Sequence, residues 1–367
     1  MSSKVTVLFL GATGYIGGSV LELLLKDPRF EVTALVRDSA KARVLTEKFG
    51  VRTVAGSLVD IQLLTEEASK ADVIINTASL WMLPAIKALL AGAKAKFEKT
   101  GKKPIFIHTS GAATVAGEDV RGEPGSDKVT ADTDVEAMTR SSGNEPTAND
   151  ESSATVSEVP TMADLSFEHI HGVVEATVRR AADEGGYVRS YVLHPPCVWG
   201  VRRGPLIDAG VSKVLSPALD GIAQLSIARG QSALIGRGLN KWVHVEVHEQ
   251  ADLYKHILDA ALADPSFPSG NEGTYFAENG TFVQLEGARA RARALHAAGK
   301  SDTAEPKALS KEEIAQMGPM GDMLAFINGL NVVCRGERGR QLGWAPVLGT
   351  DAFLASVEAD MQTRLKV

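Results

Sequence analysis

Gly11, Gly14 and Gly17 stand between an apolar run, Val5-Thr6-Val7-Leu8-Phe9-Leu10, and a stretch in which Ile16, Val20, Leu21 and Leu24 recur at helical spacing. Glycines at this spacing, between a strand and a helix, suit one kind of chemistry: holding a phosphate. Gly11 permits the tight turn and Gly14 lets a pyrophosphate approach the backbone. Gly17 lets the helix pack closely on the strand, so that free N–H groups at the helix start face negative charge. The strand-glycine-helix context makes this a dinucleotide site, lined by Gly11, Thr13, Gly14, Tyr15, Ile16 and Gly17. A second apolar run, Glu31-Val32-Thr33-Ala34-Leu35-Val36, ends at Arg37, about twenty positions past the fingerprint, where the ribose is read. An acidic residue there accepts hydrogen bonds from a free 2′-hydroxyl, whereas a guanidinium pairs with a 2′-phosphate. Arg37 therefore favours NADP(H).

The elements that must position these residues alternate up to about residue 110. Strands are predicted near 4–10, 31–36, 51–55, 72–77 and 104–110, and helices near 15–26, 39–49, 61–70 and 82–99. Such alternation implies a doubly wound parallel sheet with helices on both faces. From Gly117 to about Pro160 the texture turns to Gly, Ser, Thr, Asp, Glu, Pro and Asn, which reads as a long acidic loop over the carboxyl edge of the sheet, either a lid or a solvated excursion. Helical periodicity resumes at Thr161-Met162-Ala163-Asp164, whose spacing resembles a capping box with Asp in place of Glu.

The Gly-x-x-Gly-x-x-Gly spacing followed by Leu35-Val36-Arg37-Asp38 resembles the extended and atypical branches of the short-chain dehydrogenase/reductase superfamily, which include dihydroflavonol-reductase-like, epimerase/dehydratase-like and NmrA-like proteins. Later landmarks are similar to that family's. Gly56-Ser57-Leu58 stands where the family contacts adenine, and Asn76-Thr77-Ala78-Ser79 where its backbone lines the cofactor. Ile105 to Gly111 resembles the fifth strand with its polar end, His194-Pro195-Pro196-Cys197-Val198-Trp199-Gly200 the motif near the nicotinamide carboxamide, and Leu342-Gly343-Trp344-Ala345-Pro346 a motif near the C-terminus. The resemblance implies a Rossmann-type NADP(H)-binding domain over about 1–200 and a smaller mixed substrate lobe over 201–367, interleaved with it. It adds Ser57, Leu58, Thr77, Ala78, Ser79, Pro195, Cys197 and Val198 to the cofactor-binding set.

One departure matters more than the agreements. The family's catalytic helix carries Tyr-x-x-x-Lys, often with a Glu four residues on, and the matching frame here is Phe167-Glu168-His169-Ile170-His171-Gly172-Val173-Val174-Glu175. Tyrosine becomes Phe167 and lysine becomes His171, and a phenyl ring does no acid–base work. Two readings follow. In the first, the cofactor still gives hydride to a carbonyl or conjugated double bond of a small organic substrate, and the proton comes from His171, Ser110 or water. Phe167 is then an apolar wall, and Glu168 and Glu175 raise the pKa of His171. In the second, the site is chemically retired and the chain is an NmrA-like NADP(H)-responsive sensor. An isomerase or lyase holding its nucleotide tightly is a third course. Ser110 ends the strand, yet a frame two residues along puts Ala112 there with Thr114 as the nearest hydroxyl.

Beyond the sheet, Trp199, Arg202, Arg203, Leu206, Trp242 and His244 mix apolar surface and donors suited to a substrate pocket or to ordinary packing, and Arg289, Arg291 and Arg293 read as a solvated helix face. Composition narrows the partners. The 367 residues carry a formal net charge of −6 and no basic stripe with interleaved aromatics, which excludes a nucleic-acid surface. The first apolar segment is interrupted by glycines and Glu22, unlike a signal peptide, so a cytoplasmic protein without membrane attachment is expected, as monomer or homodimer. Cys197 and Cys334 are expected as free thiols, and no metal-ligand spacing emerges.

Overall fold

The computed structural model describes residues 4–140 and 167–366, and the side chains of 4–139 and 172–366. The apolar runs form parallel strands β1 (Val5–Leu10), β2 (Phe30–Val36), β3 (Arg52–Ala55), β4 (Val73–Asn76) and β5 (Ile105–Thr109), joined by β6 (Arg189–His194) and β7 (Thr274–Phe276). Their order is β7-β6-β5-β4-β1-β2-β3, parallel throughout, so the direction of winding reverses between β1 and β4. That reversal opens a crevice at the carboxyl ends of these two strands.

Strand periodicity divides the core in two. Val7, Phe9, Ile75 and Ile107 face helix α1 (Tyr15–Leu25), whose Val20, Leu21 and Leu24 meet them, and a helix over Val247–Ala263 that supplies Tyr254, Ile257 and Leu258. Leu8, Leu10, Ile74 and Phe106 face the other way, towards α3 (Ile61–Ala68), α4 (Leu83–Thr100) and α5 (Phe167–Asp183) through Leu64, Ile86, Leu89, Val174 and Val178. Between β2 and β3, α2 (Ser39–Phe49) starts where the Asp38 carboxylate accepts from the Ala40 and Lys41 amides and stops at left-handed Gly50.

A second, mixed sheet is built around Lys241–Glu246, which pairs with Cys197–Trp199, Leu330–Val332 and, antiparallel, Thr281–Val283. The acidic stretch expected as a loop from 117 is, in its first part, a component of this unit. Gly117–Asp119 pairs antiparallel with Leu330–Val332, Thr130–Ala131 pairs with Cys334–Arg335, and a helix covers Val135–Arg140 with Met138 buried. The reason is Asp132. Its buried carboxylate accepts from the amides of Phe276 (3.0 Å), Glu337 (2.8 Å) and Arg338 (3.1 Å), tying the stretch to β7 and to the next helix start. The remainder, 141–160, and the cap expected at Thr161 lie outside the described residues.

His244 is fully buried at the centre of this sheet. The indole Nε1 of Trp199 only donates, so His244 Nδ1 accepts it at 3.0 Å and the ring proton sits on Nε2, which donates to Thr350 Oγ1 at 3.1 Å. Thr350 in turn donates to the carbonyl of Thr281, and Phe353 stacks on the imidazole at 4.9 Å. This chain binds the C-terminal helix Thr350–Arg364 to the sheet. Two helical arginines, Arg289 and Arg293, are exposed as expected. Arg291 is instead buried, donating to the Ala233 carbonyl, and burial lowers its pKa to about 10. Both cysteines are free and buried, and among the described residues no helix is long and apolar enough to cross a membrane.

Burial lowers the His244 pKa from 6.5 to about 4. The unfolded chain therefore binds the extra proton first as pH falls, and stability is lost from about pH 6.5 down to about 4. Lowering the pH from 7.5 to 5 is expected to remove about 2 kcal/mol through this group. Urea unfolding of the parent and His244→Phe at both values should show the smaller pH dependence in the variant; equal dependence refutes the assignment.

Candidate active site

The glycine turn is shaped by what it excludes. Gly11 has φ +86, and a Cβ there would lie 2.5 Å from Thr77 Oγ1; one on Gly17 would lie 2.2 Å from the Gly11 carbonyl oxygen. Both positions are closed to any side chain. A Cβ on Gly14 would approach only the Gly11 carbonyl, at 3.0 Å, and Gly14 has an ordinary φ of −76. The protein thus leaves the Gly14 side open while closing the other two, the cradle that a pyrophosphate requires. No side chain caps α1 and no acidic residue lies in its first turn, so its leading amides face this opening. The residues present fit a dinucleotide.

Around the turn, several expected contacts have structural partners. The Tyr15 ring is buried and its hydroxyl donates to the Gly200 carbonyl at 2.6 Å. Thr77 Oγ1 donates to the Leu10 carbonyl. The Asn76 amide donates to Ser79 O and accepts from Ala78 N, fixing the loop that carries Thr77, Ala78 and Ser79. Ser57 folds onto Asp60 Oδ2 at 3.0 Å beside Leu58. Arg37 is exposed at the end of β2 and pairs with no carboxylate among the described residues. Pro195 accepts the Ala112 amide, and Cys197 and Val198 are buried strand residues, with burial pushing the Cys197 thiol up to about 12.

At the carboxyl ends of β5 and β6 lies a buried polar cluster centred on Glu175 of α5. Its Oε1 accepts from Ser110 and, at 3.0 Å, from Thr114; its Oε2 lies 3.2 Å from Arg179 and 3.1 Å from His194 Nε2. Burial alone would raise this carboxyl, yet His194, Arg179 and Ser110 together hold it well below the usual carboxylate range. Both serine-strand frames left open by the sequence converge here, because Ser110 and Thr114 serve the same oxygen. The Glu175 carboxylate is surrounded by two hydroxyls and two basic side chains. Position 171 lies one turn earlier on α5, and the side chains of Phe167, Glu168 and His171 lie outside the described residues. His194 was visible only as the first residue of a motif, and nothing local marked it as facing a carboxylate.

The residues considered for a substrate pocket are, with one exception, packed inside. Trp199, Arg202, Leu206, Trp242 and His244 are buried, and the Trp242 indole donates to Leu330 O; Arg203 alone is exposed. Among the described residues no group of three or more His, Cys, Asp or Glu could hold a metal ion.

A model of the NmrA-like family matches residues 3–99. Across 351 residues the chain is 31% identical to the oxidase ucsJ of an Acremonium species, spanning 92% of this chain and 91% of that one. The chain belongs to the NmrA-like family. A shorter match is phenylcoumaran benzylic ether reductase Pyrc5 of Pyrus communis, 37% identical over 84 residues, or 21% of this chain and 27% of that one. The NmrA-like chain also shares its fold with a dTDP-glucose 4,6-dehydratase from Streptomyces venezuelae solved with NAD bound (TM-score 0.63, 14% identity, 99% and 98% coverage). A UDP-glucose 4-epimerase from Thermotoga maritima is comparable, at TM-score 0.59 and 15% identity over 98% of this chain and 100% of that one.

Removing the charge at Glu175 leaves Arg179 and His194 without their shared carboxylate in a buried site. Glu175→Gln is expected to destabilise the protein by about 3 kcal/mol, and Ser110→Ala by about 1 kcal/mol. Urea denaturation that finds Glu175→Gln no less stable than Ser110→Ala would refute the central place given to this carboxylate.

Proposed function

We propose that this NmrA-like protein is an NADP(H)-dependent oxidoreductase that reduces a carbonyl or conjugated double bond in a small organic molecule held above the carboxyl edge of the sheet. The observation that carries the reading is the open Gly14 side at the uncapped start of α1, with Arg37 exposed at the end of β2 to receive a 2′-phosphate. The names of its relatives, an oxidase and a benzylic ether reductase, support the reaction class. A nicotinamide, when bound, supplies hydride.

The chain must then orient the substrate and provide a proton. Phe167 can only wall the site. The Ser110 hydroxyl is buried and committed to Glu175, which supports His171 or water as the proton source in preference to Ser110. The same observation favours a second reading, the nucleotide-responsive sensor, because the hydroxyls at the strand end are satisfied by the protein itself. Cytoplasmic residence and a monomeric or dimeric state fit both readings. Incubation with NADPH and a panel of aldehydes, ketones and enones separates them: steady loss of nicotinamide absorbance supports the enzyme, and nucleotide binding without turnover supports the sensor.

Calorimetry should find NADPH bound more tightly than NADH by ten- to a hundredfold, a difference largely erased in Arg37→Ala, as a charge-assisted contact of roughly 1.5–3 kcal/mol requires. Equal affinities in the parent protein would overturn the cofactor choice. Turnover should fall about 10²-fold in His171→Ala and stay near the parent rate in Phe167→Tyr. Full activity in His171→Ala would assign the proton to water or to another group.

A further inference from the structure

Helix α1 is gripped at its first turn by the segment that follows the second-sheet strand Cys197–Trp199. Ser212 Oγ donates to the Gly14 carbonyl at 2.6 Å, and Arg202 NH1 lies 3.5 Å from the same oxygen while also donating to Ser212 and to Lys213 O. Arg202 NH2 reaches Glu22 Oε1 at 3.3 Å further along the helix, and Leu206 N donates to that same carboxylate oxygen. The contact exists because position 18 is glycine. A Cβ there would stand 2.0 Å from Ser212 Oγ and 2.5 Å from Arg202 NH1. On its other side the Gly14 N–H donates to Gly11 O at 2.8 Å.

A trans peptide holds its C=O and the following N–H antiparallel in one plane. The Gly14 carbonyl also accepts the Gly18 N–H of its own helix at 3.2 Å; with Ser212 and Arg202 holding it on the outer side, the Tyr15 N–H is turned the opposite way, into the opening at Gly14. We propose that Ser212 and Arg202 are positioning residues for the nucleotide: by clamping the Gly14 carbonyl they aim the Tyr15 amide at the pyrophosphate. The inference rests on the nucleotide-binding reading above. It makes nucleotide affinity depend on side chains more than 180 residues away along the chain, as the Arg202 and Ser212 contacts to Gly14 span 188 and 198 positions. Arg202 is fully buried and faces Glu22, so its contribution here is orientation more than free charge.

The chain has five tyrosines, so labelling them with 15N gives five amide signals, and the Tyr15 signal is identified by its loss in Tyr15→Phe. NADPH should shift that signal in the parent. Ser212→Ala should displace it already in the free protein, leave the signals of Tyr187, Tyr191, Tyr254 and Tyr275 in place, and weaken NADPH binding by about five- to tenfold, the effect of one lost hydrogen bond. Gly18→Ala should reproduce both effects by pushing the clamp off the helix. Unchanged affinity or an unmoved Tyr15 signal in Ser212→Ala overturns the proposal, and so does general displacement of all five signals. If NADPH moves no signal in the parent, the nucleotide-binding reading itself has failed.

Discussion

The Gly17 position of α1 lies so close to the Gly11 carbonyl and Thr77 that there is no volume for a single methyl group. Everything near the glycine turn depends on it. With α1 seated this deeply, Val20, Leu21 and Leu24 reach the face of the sheet presented by Val7, Phe9 and Ile75, and the hydrophobic burial that stabilises the domain becomes available. The same seating brings the helix start level with the ends of β1 and β4, where the sheet changes direction.

Polar groups as well as apolar ones join the sheet to the rest of the chain. Glu175 joins α5 to β5 and β6, Asp132 joins a surface stretch to β7, and Arg202 joins α1 to the segment after Trp199. Each is buried, and each is matched by hydrogen bonds or an opposite charge, the condition under which such groups are tolerated. Buried polar contacts are directional. They fix one relative placement of elements where apolar packing would accept several.

Much of this was legible in the sequence, and the limit follows from locality. The five strands up to Thr109 and their intervening helices were readable because each carries its own periodicity and the glycine turn its own spacing. The stretch from Gly117 was misread because its pairing partners, Leu330–Val332 and Cys334–Arg335, lie some two hundred residues away and its composition is that of a loop. Arg291 was misread for a simpler reason. Arg289 and Arg293 are four apart and share a face, whereas Arg291 lies about 200° around the helix from Arg289, on the side that is buried. In the candidate site the sequence carries the motifs but not the partners of their residues: His194 against Glu175, and Tyr15 against Gly200, are decided only when distant strands meet.

The chain's route between its two sheets bears on how the protein comes into being. The outer edge of β6 (Arg189–His194) is covered by β7, made from Thr274–Phe276, and the Phe276 amide is in turn held by Asp132 from far upstream. A nascent chain that has emerged only as far as β6 has its first six strands but an open sheet edge, with His194 at the rim. Such an unpaired strand is a template for self-association. The late strand therefore acts as a closing seam for vectorial synthesis, and a fragment cut near residue 200 inherits the exposed edge instead of a self-sufficient domain.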